Sequence, residues 1–236
     1  MVVKKISPIE RARLTRVAEE NSKRRFPGKG LYGAITEDWK VRKRLAICHR
    51  EARQLDSTLG WNGSFNLSLR DSQMFFGVDL FHEIKKVSAK NGGGLNVLEV
   101  GGGTGRLAND LYEKIGGKIN LSVTGLKRSP VWKTWKNSGK IRWRVMEASK
   151  ISKYFAPESL DFVCSTLGVE HAYDQKKAIS GISKVLKKGG RFLFNTQERN
   201  PSLKVPDGFR EIKPPERAFT PSPYCLWVSI YYWEKI

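Results

Sequence analysis

Val97-Leu-Glu-Val-Gly-Gly-Gly-Thr-Gly105 decides the fold of this chain. Three apolar residues, Val97, Leu98 and Val100, flank a single acid, Glu99, before glycines at 101, 102, 103 and 105 break the run. Arg106-Leu-Ala-Asn-Asp-Leu-Tyr-Glu-Lys114 then reads as a helix. A strand, a glycine-rich turn and a helix start let a ligand approach bare backbone and helix N–H groups. The spacing separates two nucleotide-binding patterns. A dinucleotide fingerprint needs Gly-x-Gly-x-x-Gly, and counted from Gly101 its third glycine would fall on Arg106. What stands instead is acid-x-Gly-x-Gly-x-Gly, carried by Glu99, Gly101, Gly103 and Gly105.

Further strands are expected on the C-terminal side. Ile119-Asn-Leu-Ser-Val-Thr-Gly-Leu126 is β-branched and apolar and runs into the turn Lys127-Arg-Ser-Pro130. Ile141-Arg-Trp-Arg-Val-Met146 ends in Glu147-Ala148-Ser149, and Leu160-Asp-Phe-Val-Cys-Ser-Thr-Leu167 follows the turn Ala156-Pro-Glu-Ser159. From about Asp174 an amphipathic helix puts Ile179, Ile182, Val185 and Leu186 on one face. Gly189-Gly190 is expected to stop it, and Arg191-Phe-Leu-Phe-Asn195 to form the next strand. Alternating strands and helices of this length mean a parallel sheet covered on both faces. Ligands in such sheets sit outside the carboxyl ends of the strands, near the switch in strand order.

In this order the landmarks resemble the class I S-adenosylmethionine-dependent methyltransferases. The acid–glycine turn is similar to their motif I. Lys184-Val-Leu-Lys-Lys-Gly-Gly-Arg-Phe-Leu193 is similar to the lysine–proline–glycine–glycine turn before their fifth strand, with Lys188 where proline is usual. The resemblance spans residues 95–195. It implies an α/β fold, a doubly wound and mainly parallel seven-stranded sheet of the Rossmann-like methyltransferase type. It implies S-adenosyl-L-methionine as cofactor and a transferase that passes its methyl group to an acceptor. It also divides the chain into an N-terminal helical extension or lid over residues 1–90 and a cofactor-binding domain over 91–236.

The same resemblance assigns roles. Glu99, with Gly101, Gly102, Gly103 and Gly105, would hold the methionine part of the cofactor and cradle its adenosine, the acid favouring the ammonium group by charge. Glu147 and Ala148 stand where the family carries an aspartate–alanine pair whose acid accepts a hydrogen bond from the adenine amino group. Lys127 falls where an acid normally binds both ribose hydroxyls. With three donors and no acceptor, a lysine cannot reproduce that bidentate acceptance. Ser165, a further cofactor contact, opens Ser165-Thr-Leu-Gly-Val-Glu-His-Ala-Tyr-Asp174. Its Glu170-His171 pair and Asp174 resemble the turn of the small-molecule methyltransferases of the ubiquinone-biosynthesis type. His171 is there the candidate general base toward a hydroxyl or amine, with an ordinary pKa of about 6.5; a histidine bonded only to backbone is the alternative. An acid-x-x-acid-His metal set would put its first acid on Leu167, so no metal is expected. No Asn/Asp-Pro-Pro-aromatic motif follows the fourth strand, which argues against adenine-N6 methylation.

The flanks are read from periodicity and composition. Asp38 to about Ser57 carries Val41, Leu45, Cys48, Ala52 and Leu55 on one helical face, and Asp71 to Ala89 carries Met74, Val78, Phe81 and Ile84. Such helices form a lid or simply cover a sheet face. Pro201, Pro206, Pro214, Pro215, Pro221 and Pro223 suggest extended loops. Leu226-Trp-Val-Ser-Ile-Tyr-Tyr-Trp233 reads as a last strand, antiparallel as in the family. With 236 residues and 39% hydrophobic content, a sizeable core is affordable. No apolar run reaches the roughly 18–20 residues that span a bilayer, and the first residues lack a signal-peptide core. Cys48, Cys164 and Cys225 are too scattered for a metal site and suggest free thiols. Cys164 lacks the Pro-Cys context of a methyltransferase nucleophile. A cytoplasmic protein is expected.

Charge is uneven. Lys and Arg number 43 against 23 Asp and Glu, a net charge of +20. No acid lies between Glu113 and Glu147, whereas Lys114, Lys118, Lys127, Arg128, Lys133, Lys136, Lys140, Arg142 and Arg144 do, with Trp132, Trp135 and Trp143 among them. Basic surface with aromatics suits polyanion contact and base stacking; tryptophans packed in the core are the alternative. The acceptor is thus a small molecule or a nucleic acid. A non-catalytic binding protein on this scaffold is the third possibility, raised by Lys127.

Overall fold

The computed structural model describes residues 68–91, 94–125, 128–170, 172, 174–197, 203–220 and 226–236. The helix expected from Asp38 to Ser57, most of the N-terminal extension, and the candidate site residues Lys127 and His171 lie outside these residues.

The second expected helix is two: α1 (Leu69–Phe76) and α2 (Leu80–Asn91). Gly77, at φ 61°, takes the left-handed conformation that ends α1. Asp79 then starts α2, its Oδ1 accepting from the N–H groups of Phe81 (3.0 Å) and His82 (3.3 Å). The apolar periodicity runs straight through this break because both helices bury the same side, with Phe75, Phe76, Leu80, Ile84 and Val87 in the core.

The remaining elements follow as β1 (Leu95–Val100), α3 (Arg106–Ile115), β2 (Ile119–Gly125), β3 (Arg142–Val145), β4 (Leu160–Thr166), α4 (Gln175–Val185), β5 (Leu186–Gln197), β6 (Phe209–Thr220) and β7 (Leu226–Lys235). They build one seven-stranded sheet in the order β3-β2-β1-β4-β5-β7-β6. The pairs among β1 to β5 are parallel, and β7 runs antiparallel to both β5 and β6. Strand order reverses beside β1, between β2 and β4. Alternation along β1 sends Leu95 and Val97 into one core cluster with α1, α2 and α3. Leu98 and Val100 enter the opposite cluster with Ile179, Ile182 and Val185 of α4. Each large apolar side chain so buried contributes about 1.5–3 kcal/mol. α1 and α2 therefore cover a sheet face.

Two segments depart from their expected form. Gly189-Gly190 does not stop α4, which already ends at Val185 with Leu186 in extended conformation. The glycines sit in a bulge of β5: the pairing passes from Leu160–Leu186 to Phe162–Arg191, and Gly189, at φ 74°, turns the extra residues out of the ladder. The proline-rich stretch is in large part a strand, β6. It includes Pro214 and Pro215, which an edge strand with register shifts tolerates because the missing N–H groups face no partner.

A buried polar cluster joins α2 to the sheet. Arg191 Nη1 donates to Glu83 Oε2 and to Tyr232 Oη, both at 2.8 Å, and Tyr232 Oη donates to the same carboxylate oxygen at 2.7 Å.

Candidate functional site

The sequence-marked residues that the structure describes gather at the carboxyl ends of β1, β3 and β4. Glu99 occupies the last turn of the pleat in β1, opposite Cys164 of β4. Its carboxyl lies under the glycine turn: a Cβ on Gly102 would come 3.0 Å from the Glu99 carboxyl carbon and 3.1 Å from Oε2. The residue is 6% exposed and Oε2 has no hydrogen-bond partner among the described residues. Burial pushes its pKa up to about 8, so the carboxyl is mainly protonated at neutral pH. A buried carboxyl whose Oε2 meets no donor among the described residues, at a site open to ligands by topology, is suited to a cationic group. Cys164 is a free, buried thiol whose pKa is raised by burial and by the neighbouring Glu99. It is inert packing and no nucleophile.

The turn itself is held from three sides. Gly102 N–H donates to Thr124 O at 2.9 Å, and Gly105 N–H donates back to Gly102 O at 2.7 Å. Gly101 and Gly105 both adopt left-handed backbone, at φ 76° and 77°. Their missing side chains have a second use. A Cβ on Gly101 would stand 2.6 Å from Gly168 Cα, and one on Gly105 would stand 2.6 Å from Trp143 Cη2. Gly105 also precedes α3, which has no side-chain cap at its N-terminus.

Behind Gly101 lies the turn after β4. Ser165, fully buried, donates from Oγ to Val100 O at 3.0 Å and accepts from Val169 N–H at 2.9 Å. Its hydroxyl thus ties the two loops together. Leu167 takes a left-handed conformation, φ 59°, unusual for a branched residue. Its N–H is secured by Asn195 Oδ1 at 2.8 Å, while Asn195 Nδ2 donates to Phe75 O at 2.8 Å. One asparagine thereby links α1, β5 and the site turn. At β3, Met146 N–H donates to Gly125 O (2.9 Å), bringing the ends of β2 and β3 together. Glu147 Oε2 accepts from Ser149 N–H (2.9 Å) and from Ser149 Oγ, capping the 3₁₀ turn Ala148–Lys153. Glu147 and Ala148 are both 7% exposed.

The tryptophans answer to a different role from base stacking. Trp132 Nε1 donates to Gly103 O (2.9 Å) and Trp135 Nε1 to Thr104 O (2.7 Å). Trp132 is 2% exposed and stacks on Trp143 at 5.0 Å between ring centres. The segment carrying them is a 3₁₀ turn, Pro130–Thr134, and a loop. With Asn195 and Gly168, these tryptophans are the site residues that motif reading missed. Gly168 alone had a visible signal, a glycine just past a strand end.

Among the described residues, no helix is long and apolar enough to cross a membrane, and no group of His, Cys, Asp or Glu is placed to hold a metal ion.

Comparison with known proteins agrees with this architecture. Residues 98–194 match the family model described as a methyltransferase domain. A ubiquinone/menaquinone biosynthesis C-methyltransferase UbiE of Francisella tularensis subsp. novicida is 32% identical over 133 residues, which cover 53% of this chain and 52% of that protein. A polyketide synthase-nonribosomal peptide synthetase of Aspergillus clavatus is 29% identical over 109 residues, 42% of this chain and 3% of that much longer protein. The chain thus spans about half the length of the first relative and a small part of the second. Among solved structures, TrmN from Thermus thermophilus superposes with a TM-score of 0.52 at 19% identity, covering 72% of this chain and 53% of that one, a likeness of fold. The matched segment runs from β1 through β5 and contains the acid–glycine turn, the β4 turn and the capped end of β3. By sequence, residues 98–194 are similar to the methyltransferase domain family, and the seven-stranded sheet that carries them has the Rossmann-like methyltransferase fold.

Proposed function

We propose that this protein binds S-adenosylmethionine at the carboxyl ends of β1 and β4 and transfers its methyl group to an acceptor. The observation that carries the reading is the buried carboxyl of Glu99 beneath a glycine turn, its Oε2 without a hydrogen-bond partner among the described residues. The residues fit the cofactor: an acid for its ammonium group, a glycine turn for its approach whose one side chain, Thr104, is buried, and Glu147 as an acid at the end of β3 for its adenine. When bound, S-adenosylmethionine supplies an electrophilic methyl group on a positively charged sulfur. The chain's own work is to orient and desolvate. Glu99 gains a charge partner, the turn 101–105 excludes side chains from the contact, and His171 is our candidate to accept a proton from the acceptor.

The acceptor reading that follows from the Glu170-His171 turn, and from the relative named as a ubiquinone/menaquinone C-methyltransferase, is a small molecule. A second reading is favoured by the exposed cations Lys133, Lys136, Lys140, Arg142 and Arg144 on the β3 edge: a polyanion bound near the site. Location in the cytoplasm belongs to the same proposal. Calorimetric titration with S-adenosylhomocysteine tests the core of it. The protein is expected to bind, and Gly101→Val to lose binding, since a β-branched residue at φ 76° must push into Gly168. Lys127→Asp is expected to tighten binding by about 1–3 kcal/mol if position 127 faces the ribose. A wild-type protein that does not take up the ligand sinks the reading.

A further inference from the structure

We propose that Trp132 and Trp135 are positioning residues that set the shape of the turn 103–105 from behind. The inference rests on the reading of that turn as the S-adenosylmethionine loop. Two consecutive carbonyls of the turn, Gly103 O and Thr104 O, each receive an indole N–H from the same short segment, at 2.9 and 2.7 Å. A peptide unit is planar and trans, so fixing a carbonyl also fixes the direction of the amide that follows it. Two adjacent peptide planes of the turn are therefore oriented by two side chains.

The indoles are themselves held. Trp132 packs against the turn and stacks on Trp143, with its Cδ1 3.3 Å from the position a Gly105 Cβ would take. Trp143 lies still closer to that position and donates from Nε1 to Ser138 O at 2.9 Å. Asn137, two residues beyond Trp135, donates from N and Nδ2 to Asn109 Oδ1 of α3 at 3.4 and 3.2 Å. The segment is thus anchored to the turn and to the helix that the turn starts. A glycine-rich turn has little intrinsic preference for one conformation. The brace supplies what the glycines lack, leaving the opposite side of the turn bare. It also accounts for three tryptophans within a segment of high charge, where solvated residues would be expected.

Trp132→Phe and Trp135→Phe each keep an aromatic ring and remove the N–H. Each is expected to weaken S-adenosylhomocysteine binding about five- to tenfold, the loss of one partly buried hydrogen bond and the looser turn behind it. Binding stoichiometry should remain that of the wild type and thermal unfolding should stay cooperative. Hydrogen exchange in the ligand-free protein gives a readout that does not depend on the cofactor. Amides of residues 101–106 should exchange faster in both variants, while those of β4 and β5 keep wild-type protection. Unchanged exchange in the turn, or wild-type affinity in both variants, overturns the proposal. Faster exchange in a protein whose wild type binds no S-adenosylhomocysteine would retain the brace and remove the cofactor reading instead.

Discussion

Glu99 sits in a conflict between stability and binding, and its ionisation makes the conflict measurable. In the free protein its pKa is about 8, raised by desolvation from an ordinary 4.5. Folded protein then holds a proton that the unfolded chain has released throughout the interval between those values. The sign follows: the stability associated with this group is complete below about pH 4.5 and is lost as pH rises toward 8. Glu99→Gln cannot ionise, so the variant is expected to be more thermostable than the wild type at pH 8 and nearly equal to it at pH 5. Ligand binding should show the reverse. A cationic ammonium group favours the ionised carboxylate, so wild-type affinity should rise from pH 6 to 8 with proton release visible in buffers of different ionisation enthalpy. Glu99→Gln should bind weakly and without that pH dependence. Parallel stability curves for the two proteins, or a wild-type affinity flat in pH, would show that the carboxyl is satisfied in some other way.

The elements around the site were legible to different degrees, for physical reasons. Strands β1, β2 and β4 declared themselves because a parallel sheet buried on both faces demands apolar runs, such as Phe162-Val-Cys164. The turn glycines were equally plain, since left-handed backbone and close approach to Gly168 leave no other residue. The break between α1 and α2 was not, because Gly77 interrupts the chain without disturbing the apolar face. β6 was masked by its prolines, whose exclusion from strands holds for inner strands and relaxes at an edge. Side-chain contacts distant in sequence were invisible: Trp132 to Gly103, Asn195 to Leu167 and Phe75, and the Arg191–Glu83–Tyr232 cluster all depend on the finished fold. That last cluster carries a prediction at this scale. Glu83 is disfavoured as a charge by its burial, but the bonds from Lys86 and Tyr232 and the nearby Arg191 outweigh this and lower its pKa. Glu83→Ala leaves Arg191 buried beside a single phenol and should cost about 3–5 kcal/mol. Tyr232→Phe keeps the ion pair and should cost about 1–2 kcal/mol. Thermal unfolding is expected to show the first shift as roughly two to three times the second. Because the Glu83 pKa is lowered, the wild type's advantage over Glu83→Ala should shrink as pH falls through the acidic range, and a constant gap would exclude a charged role.

At the scale of the whole molecule the net charge of +20 has a surface to act through. Strand β3 lies at an edge of the sheet, and Arg142 and Arg144 on it are exposed, as are Lys133, Lys136 and Lys140 in the segment before it. Arg144 also extends over the Phe155 ring, 5.6 Å from its centre. The indoles of this region point inward and are engaged with the glycine turn, so a polyanion at this edge meets cations without a stacking platform. Binding here should therefore be governed by phosphate and indifferent to the bases. Four to six contacts predict a log–log salt slope of about −3 to −5, at roughly 0.7–0.9 per phosphate. Homopolymers of different base should bind alike, in contrast with a groove that stacks bases on aromatics. Lys133→Glu with Lys136→Glu should flatten the slope by about 1.5. The same pair should leave S-adenosylhomocysteine affinity unchanged, because neither side chain takes part in the tryptophan bonds to the turn. Fluorescence polarisation across a salt series with labelled RNA and DNA measures all of this. A strong preference among homopolymers would assign the binding to another surface. Failure to bind either polymer at low salt would leave the β3 edge as solvated charge and turn the search for the acceptor to small molecules.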